Sequence, residues 1–436
     1  MRIKHLTLAL AAAGMVATQA HAQTEIQWWH SMGGALGEAL NGLADKFNAS
    51  QKEYKVVATF KGSYPESMTA AIAAFRAGNA PHLLQVFEVG TATMMAAKGA
   101  IVPVATVMHD AKEPFDPKAY LPTVTGYYTD LKGNMLSFPF NSSTVMFYIN
   151  KDAFKKAGLD PNKAPKTWKE VVAAAEKLKA SGSACPYTTS WPSWTHIENF
   201  SAWHNIPIGT KQNGMGGLDT VFTINSPLHV RHIALLGDMA KKGLFIYAGR
   251  TNQGDAKFSS GECAMFTGSA GAQAGIKKAA KFDWSINFIP YYDDVKGAPQ
   301  NSIIGGASVW IMGGKKPEEY KGVAKFMAFL SRPEIQMEWH TTTGYVPITR
   351  ASYELTRKSG YYDKNPGADM PVKELTLHNP TENSKGLRFG NFVQGRTVIE
   401  EELEEVFSGK KDAKTALDEA VKRGNEILRQ FEAANK

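Results

Sequence analysis

From Thr24 onward the spacing of apolar residues switches repeatedly between every second position and every third or fourth, and this alternation restricts the fold more than any other feature of the chain. Thr24–His30 alternates and carries Trp28 and Trp29, as a strand with one covered face does. Gly33 and Gly34 then open a run that puts Leu36, Leu40, Leu43 and Phe47 on one helical face. Tyr54–Phe60 predicts a second strand, and 65–77 an Ala-rich helix stopped by Gly78, Asn79, Ala80 and Pro81. The nearly unbroken apolar run 82–87 suits a parallel strand covered on both faces. Such alternation predicts an α/β fold, a mostly parallel sheet flanked by helices.

At 436 residues the chain exceeds what one hydrophobic core organises, so two lobes are expected. The pattern breaks at Pro139, Phe140, Asn141, Ser142, Ser143 and Thr144, and a new strand, Val145–Asn150, begins. Trp168–Ala180 and 228–242 predict helices, with a strand at 186–190 between them. A strand at 263–267 feeds a helix at 272–280 across a Gly/Ser-rich turn, 284–291 and 307–312 return to strand character, and 317–436 is mostly helical. The acidic group Glu400, Glu401, Glu402, Glu404 and Glu405 is expected on a solvated helix face.

Arg2, Lys4 and His5 precede an apolar stretch ending at Ala17, and Ala20-His21-Ala22 supplies a small-x-small exit. These are the three parts of a cleavable secretory leader, with cleavage expected after Ala22 and a periplasmic destination. No later window is long and apolar enough to span a bilayer, and no Cys marks a lipid anchor. The net charge is +8, two units of it in the leader, and the remaining excess is scattered, which argues against nucleic acid as a partner. Cys185 and Cys263 would meet an oxidising compartment, so a disulfide between them is expected, two separately buried thiols being the alternative.

A search for catalytic constellations returns none. His229 and His232 stand three apart on a predicted helix with no further ligand of matching spacing, and are expected to be surface or half-buried; no metal is called for. The run 268–272 (Gly-Ser-Ala-Gly-Ala) resembles a phosphate loop but lacks the Gly-Lys-Ser/Thr of a nucleotide site and any Gly-x-Ser-x-Gly elbow. Ser269 lies between a strand and a helix, where free backbone N–H groups attract anions, although a simple tight turn explains it equally well alone. Trp191, Trp194, Tyr64 and Tyr345 stand near predicted loops, where flat rings grip the C–H faces of polyols; any one of them alone is more often a core residue than a ligand contact.

Several strings together carry a more specific signal. They are 29–32, Tyr64-x-x-x-Met68 after Lys61-Gly62, 73–81, 88–95, 140–144, 301–308, 343–345 with 347–349, and 385–388. Across the mature chain they resemble the extracellular solute-binding proteins of bacterial ABC importers, of the maltose-binding-like type, and in particular those that take sn-glycerol-3-phosphate. The resemblance implies a two-lobe periplasmic binding protein fold of type II, joined by a hinge. The lobes would be built from 23–141 with 288–316 and from 142–287 with 317–436. It implies a monomer that delivers ligand to importer permease subunits, needs no cofactor, and is not an enzyme. It further implies that Ser143, Ser269, Gly306, Tyr345 and Arg396 hold phosphate, that Tyr64 and Glu88 take glycerol hydroxyls, and that Trp191 and Trp194 form an apolar wall. Glycerophosphodiesters such as glycerophosphocholine are an allied ligand class. The rival expectations are an oligosaccharide receptor, which needs no buried cation, and a glycerophosphodiester hydrolase, which needs metal ligands or a paired acid and base.

Overall fold

The computed structural model describes residues 23–130 and 132–436. The leader and its cleavage after Ala22 lie outside the described residues. Among the described residues there are eleven strands: β1 (Thr24–His30), β2 (Tyr54–Phe60), β3 (Leu83–Phe87), β4 (Ile101–Val102), β5 (Phe138–Ser143), β6 (Val145–Asn150), β7 (Cys185–Thr189), β8 (Phe245–Tyr247), β9 (Cys263–Ser269), β10 (Trp284–Asn287) and β11 (Gly305–Met312). They form two sheets. One runs β2-β1-β3-β11-β4 with β5 also on β11, and the other runs β10-β6-β9-β7-β8.

Both sheets are mixed, which corrects the mostly parallel expectation. β1 lies parallel to β2 and β3, and β9 to β7 and β7 to β8. β11 is antiparallel to β3, β4 and β5, and β6 is antiparallel to β9 and β10. The physical reason lies in the connections. Strands joined by a helical crossover within one lobe are parallel, whereas β5, β6, β10 and β11 carry the chain between lobes and need no such crossover.

Local chemistry explains the helix starts. At Trp168–Ala180, Glu170 N donates to Thr167 Oγ1 (3.2 Å) while Thr167 N donates to a Glu170 carboxylate oxygen (3.0 Å), a reciprocal cap. Helix Gly34–Ser50 buries Leu40, Leu43 and Phe47 against the first sheet, where Phe47 meets Phe326 edge-on at 5.1 Å. Cys185 and Cys263 are opposite neighbours on β7 and β9 and are joined by a disulfide, as expected.

The lobes interleave more than the sequence suggested. β5 stays in the first sheet through Ser143, so the first crossing is at Thr144 rather than after 141. Helix Pro317–Leu330 packs on β1, and helix Pro333–Thr343 on Gly34–Ser50, so this stretch covers the first sheet, not the second. Only later do Phe392–Phe407 and Ala413–Asn435 pack on helix Pro227–Lys241 of the second lobe.

Three crossings therefore join the lobes: Thr144, residues 288–304 and residues 344–391. A fully buried carboxyl, Glu374, ties them together. One of its oxygens accepts from Ile289 N (3.0 Å), the other lies 3.4 Å from Thr144 Oγ1, and Thr144 Oγ1 donates to Ser302 Oγ (2.6 Å). Burial lifts this carboxyl to about 8, so at neutral pH it is a neutral hydrogen-bonding pin.

Two further expectations are corrected. His229 and His232 are wholly buried: Ser201 and Ser226 hydroxyls bond His229 (2.8 and 2.7 Å), and His232 stacks on Phe200 at 4.0 Å. Burial holds both imidazoles well below their ordinary range, hence neutral. The acidic group on Phe392–Phe407 is not one solvated face, because Glu400 and Glu402 point inward. Glu402 is paired by Lys411 and Arg423.

Candidate functional site

A cavity of about 790 Å³, its open mouth included, lies between the two sheets. It sits at the carboxyl ends of β1, β3, β7 and β9, where parallel strands of α/β proteins present their loops. Tyr64, Glu88, Trp191, Trp194, Ser269, Gly306, Tyr345 and Arg396 all line it. Ser143, the ninth residue expected there, lies just behind the wall with its Oγ 2.7 Å from Ser269 Oγ. Residues more than 300 positions apart in sequence thus share one cleft.

The cavity has two chemically distinct ends. At the first, Arg396 from helix Phe392–Phe407 is held by two carboxylates. Its Nε and Nη2 donate to the two oxygens of Glu198 (2.9 and 2.6 Å), and Nη2 also donates to Glu88 Oε1 (2.7 Å). Ser193 Oγ adds a bond to Glu198 (3.0 Å). Burial opposes the guanidinium charge, but Glu198 and Glu88 more than offset it and hold the group protonated. Burial, and the like charge of Glu198, push Glu88 above the usual carboxylate range despite Arg396. One turn further along the helix, burial lifts Glu400 to about 8.

This arrangement weighs against the role expected of Arg396. One edge of the planar fork that was to grip phosphate, Nε with Nη2, is taken by Glu198, while Nη1 makes no hydrogen bond among the described residues. Two carboxylates beside one guanidinium leave no surplus positive charge for an anion.

At the second end the hydrogen-bond donors are neutral. Ser143 and Ser269 share a hydroxyl contact, Ala270 N donates to Ser143 Oγ (3.1 Å) and Gly271 N to Ser269 Oγ (3.0 Å). Tyr345 reaches the same place, stacked on Trp339, with its hydroxyl near Asn141 and Tyr64 and 3.7 Å from the weak acceptor Met32 Sδ. Trp194 Nε1 is buried with no hydrogen-bond partner among the described residues. Gly306 adopts φ +84°, and a Cβ there would lie 1.9 Å from the Asn141 carbonyl oxygen, so only glycine lets β11 approach β5 this closely. A Cβ on Gly305 would strike the Trp194 ring at 2.4 Å.

Between the ends, Tyr64 stacks on Phe87 (5.1 Å, 7° between planes) and meets Trp191 at 6.3 Å. Asn141 Nδ2 donates to the Tyr64 hydroxyl (3.0 Å), which burial keeps protonated. Trp194 opens a helical turn rather than sitting in a loop, while Trp191 takes a left-handed φ of +53°.

Sequence reasoning missed Glu198, Asp255, Asn252 and Thr251. Glu198 offered one signal, a lone carboxylate in the aromatic-rich stretch Trp194–Trp203, where a buried charge would need a partner. The other three lie in an ordinary polar segment and offered none.

The profile of the bacterial extracellular solute-binding proteins matches residues 42–369. A protein of Yersinia pseudotuberculosis named sn-glycerol-3-phosphate-binding periplasmic protein UgpB is 53% identical over 435 residues, covering 100% of this chain and 99% of its own. The protein of the same name from Pectobacterium atrosepticum is 54% identical over 429 residues, 98% and 96% of the two chains. Among solved structures, UgpB of Mycobacterium tuberculosis in complex with glycerophosphocholine superposes with a TM-score of 0.77 at 22% identity, covering 94% of this chain and 99% of the other. Maltose-bound MalE3 of T. maritima gives 0.77 at 17%, covering 93% and 100%. These distant structures share the two-lobe fold, and from the profile and the full-length relatives it follows that the chain belongs to the bacterial extracellular solute-binding protein family.

Proposed function

We propose that this protein is the periplasmic capture component of an ABC importer for sn-glycerol-3-phosphate, with glycerophosphodiesters as allied ligands, and that it carries out no reaction of its own. The observation that carries this reading is one cleft that gathers, from both lobes, a cluster of neutral donors and an opposite carboxylate–guanidinium end. The relatives that match the whole chain at 53% identity bear the name of the same ligand.

In this proposal the phosphate seats at the neutral end. Ser143, Ser269, the Tyr345 hydroxyl, the Trp194 N–H and the backbone at Gly306 surround it, and hydrogen-bond donors alone suffice to bind an oxyanion in a water-poor site. The glycerol hydroxyls reach the other end, where Glu88 accepts and Arg396 donates, and Tyr64 and Trp191 face the carbon chain. Arg396 thus serves ligand hydroxyls rather than phosphate charge. Glu88, Tyr64 and Gly306 belong to the first lobe, and Arg396, Ser269, Trp191 and Trp194 to the second. Ligand contacts to both sides are complete only when the lobes close, so closure is favoured by ligand, and the closed form is what a permease would recognise.

Titration calorimetry with sn-glycerol-3-phosphate, glycerophosphocholine and maltose tests the proposal. Binding of the phosphate esters with no response to maltose is expected. Maltose binding without phosphate-ester binding would establish an oligosaccharide receptor instead, and release of free choline from glycerophosphocholine would establish a hydrolase.

A further inference from the structure

Asp255 is the one ionisable group among the described cavity-lining residues that the functions described so far leave unused. It stands on helix Gln253–Ser259, half-buried, with the cavity also lined by Thr251, Asn252, Ser269 and Tyr345. Ser190 Oγ donates to its Oδ1 at 2.6 Å, whereas Oδ2 makes no hydrogen bond among the described residues. A carboxylate lining a seat for phosphate is at first sight a contradiction, since the two charges repel. No cation in the wall resolves it, because the only basic residue among the described lining residues is Arg396, whose charge is already paired with Glu198 and Glu88.

We infer that Asp255 is the proton carrier of this site. It is ionised in the empty cleft, takes one proton from the surrounding buffer as a phosphate ester enters, and then donates its O–H to a phosphate oxygen. A repulsive charge becomes a hydrogen-bond donor, and the neutral end of the cavity becomes neutral throughout.

The neighbourhood supports this. Burial, partly offset by the Ser190 hydroxyl, already raises the Asp255 carboxyl to about 6, so protonating it near neutrality is a small step that an incoming anion drives further. Its charge is felt by Tyr345 and by Tyr148, both of which it pushes upward, and Tyr148 donates to the Ser269 carbonyl (2.9 Å) at the heart of the seat. The elements packed on its helix are β7, β9 and helix Gln273–Ala279. β7 leads into Ser190, and Glu262, just before β9, pairs with Lys257 of Asp255's own helix (2.6 Å). Lys277 and Lys278 of the neighbouring helix turn to Tyr361 (3.1 Å) and Glu38 (2.7 Å). None of these bonds Asp255, so Ser190 is its one side-chain hydrogen-bond partner among the described residues.

The inference rests on the phosphate-ester function, and the test separates the two. Calorimetry with sn-glycerol-3-phosphate at pH 8, repeated in buffers of different ionisation enthalpy, counts protons taken up per ligand. Above pH 7 a free phosphate monoester is largely dianionic, its second ionisation lying near ~6, and free Asp255 is ionised. The wild type is expected to take up close to one proton per ligand and to lose about tenfold in affinity per pH unit above 7. Asp255→Asn supplies a permanent neutral donor of the same shape. It should take up almost none, and at pH 8 it should bind about tenfold or more tightly than wild type. In infrared difference spectra the wild type should gain a protonated-carboxyl stretch on ligand addition that the variant lacks. Uptake unchanged in Asp255→Asn would place the proton on the phosphate and overturn the inference, as would binding without uptake in the wild type. Absence of binding altogether at any pH would instead remove the phosphate-ester function itself.

Discussion

The two ends of the cleft solve one problem in opposite ways. At the Arg396 end, charges are buried and made tolerable by pairing: one guanidinium, two carboxylates and a serine form a closed network reaching from the first lobe to the second. At the Ser269 end no charge is paired; hydroxyls and amides bond one another, and one indole N–H has no partner among the described residues. The first end is held by paired charges before ligand arrives, whereas the second leaves a buried donor unmet. A satisfied network specifies geometry and holds the lobes in register, while an unsatisfied one draws in a partner. The difference assigns rigidity to one end and ligand selectivity to the other.

Removing Arg396 should break the comparison hardest. Arg396→Ala leaves Glu198 and Glu88 buried without a counter-charge, and loss of one partner from such a network costs about 3–5 kcal/mol. Thermal unfolding should fall sharply, and calorimetry should show ligand affinity lost with it. Arg396→Met combined with Glu198→Leu removes both charges, and it should recover much of the stability but not the affinity. If the single variant unfolds like wild type, the network does not hold the lobes.

A smaller effect is expected from Glu400, the carboxyl one turn behind Arg396. Its folded value, about 8, lies above the ordinary 4.5, so the native state holds a proton that the unfolded state has already lost. Its contribution is complete below pH 4.5, declines as pH rises from 4.5 to 8, and is flat beyond. Glu400→Gln should remove that decline, so its stability relative to wild type should improve from pH 5 to pH 8 by about 2–4 kcal/mol. Denaturant titrations across this range provide the check. A constant difference between the two proteins would mean that Glu400 is ionised throughout. Glu374 at the hinge follows the same sign, so the measurement must be read as a difference between variants, not as a slope of either one.

The same contrast separates what the sequence could reveal from what it could not. Elements with a strong internal repeat were legible to within a few residues: Thr24–His30, Tyr54–Phe60, Val145–Asn150 and Trp168–Ala180 were located by apolar spacing and caps alone. Strand direction was not, because β5, β6, β10 and β11 are oriented by passage between lobes, and an apolar run carries no sign of it. The nine residues expected at the site do meet there, yet they were collected by family resemblance and not by spacing. What stayed hidden was electrostatics. The phosphate role given to Arg396 assumed a free guanidinium, and only the fold reveals that Glu198, nearly 200 residues away, takes one edge of its fork. Glu400 and Glu402 failed for the same reason, since a run of acidic residues looks solvated until its helix is packed between neighbours.

At the unsatisfied end the expected effects concern affinity and leave the fold intact. Ser269→Ala removes one hydroxyl from the seat, where a hydrogen bond to a charged group is worth about 1.5–3 kcal/mol. Affinity for sn-glycerol-3-phosphate should fall by one to two orders of magnitude while the melting temperature barely moves. That outcome is the reverse of Arg396→Ala.

The smallest and most discriminating change is Trp194→Phe. It keeps a flat ring against Gly305 and deletes only the Nε1 donor, which has no partner among the described residues. Were that N–H merely a buried orphan, its removal would relieve an unmet desolvation cost, raise stability slightly and leave affinity unchanged. If it is reserved for a phosphate oxygen, stability should rise by about 0.5–1 kcal/mol while affinity falls by a similar amount. A variant more stable but weaker in binding would show in a single side chain that this end of the cleft gives up stability for recognition. A variant improved in both would remove Trp194 from the seat and leave the phosphate to Ser143, Ser269, Tyr345 and Asp255.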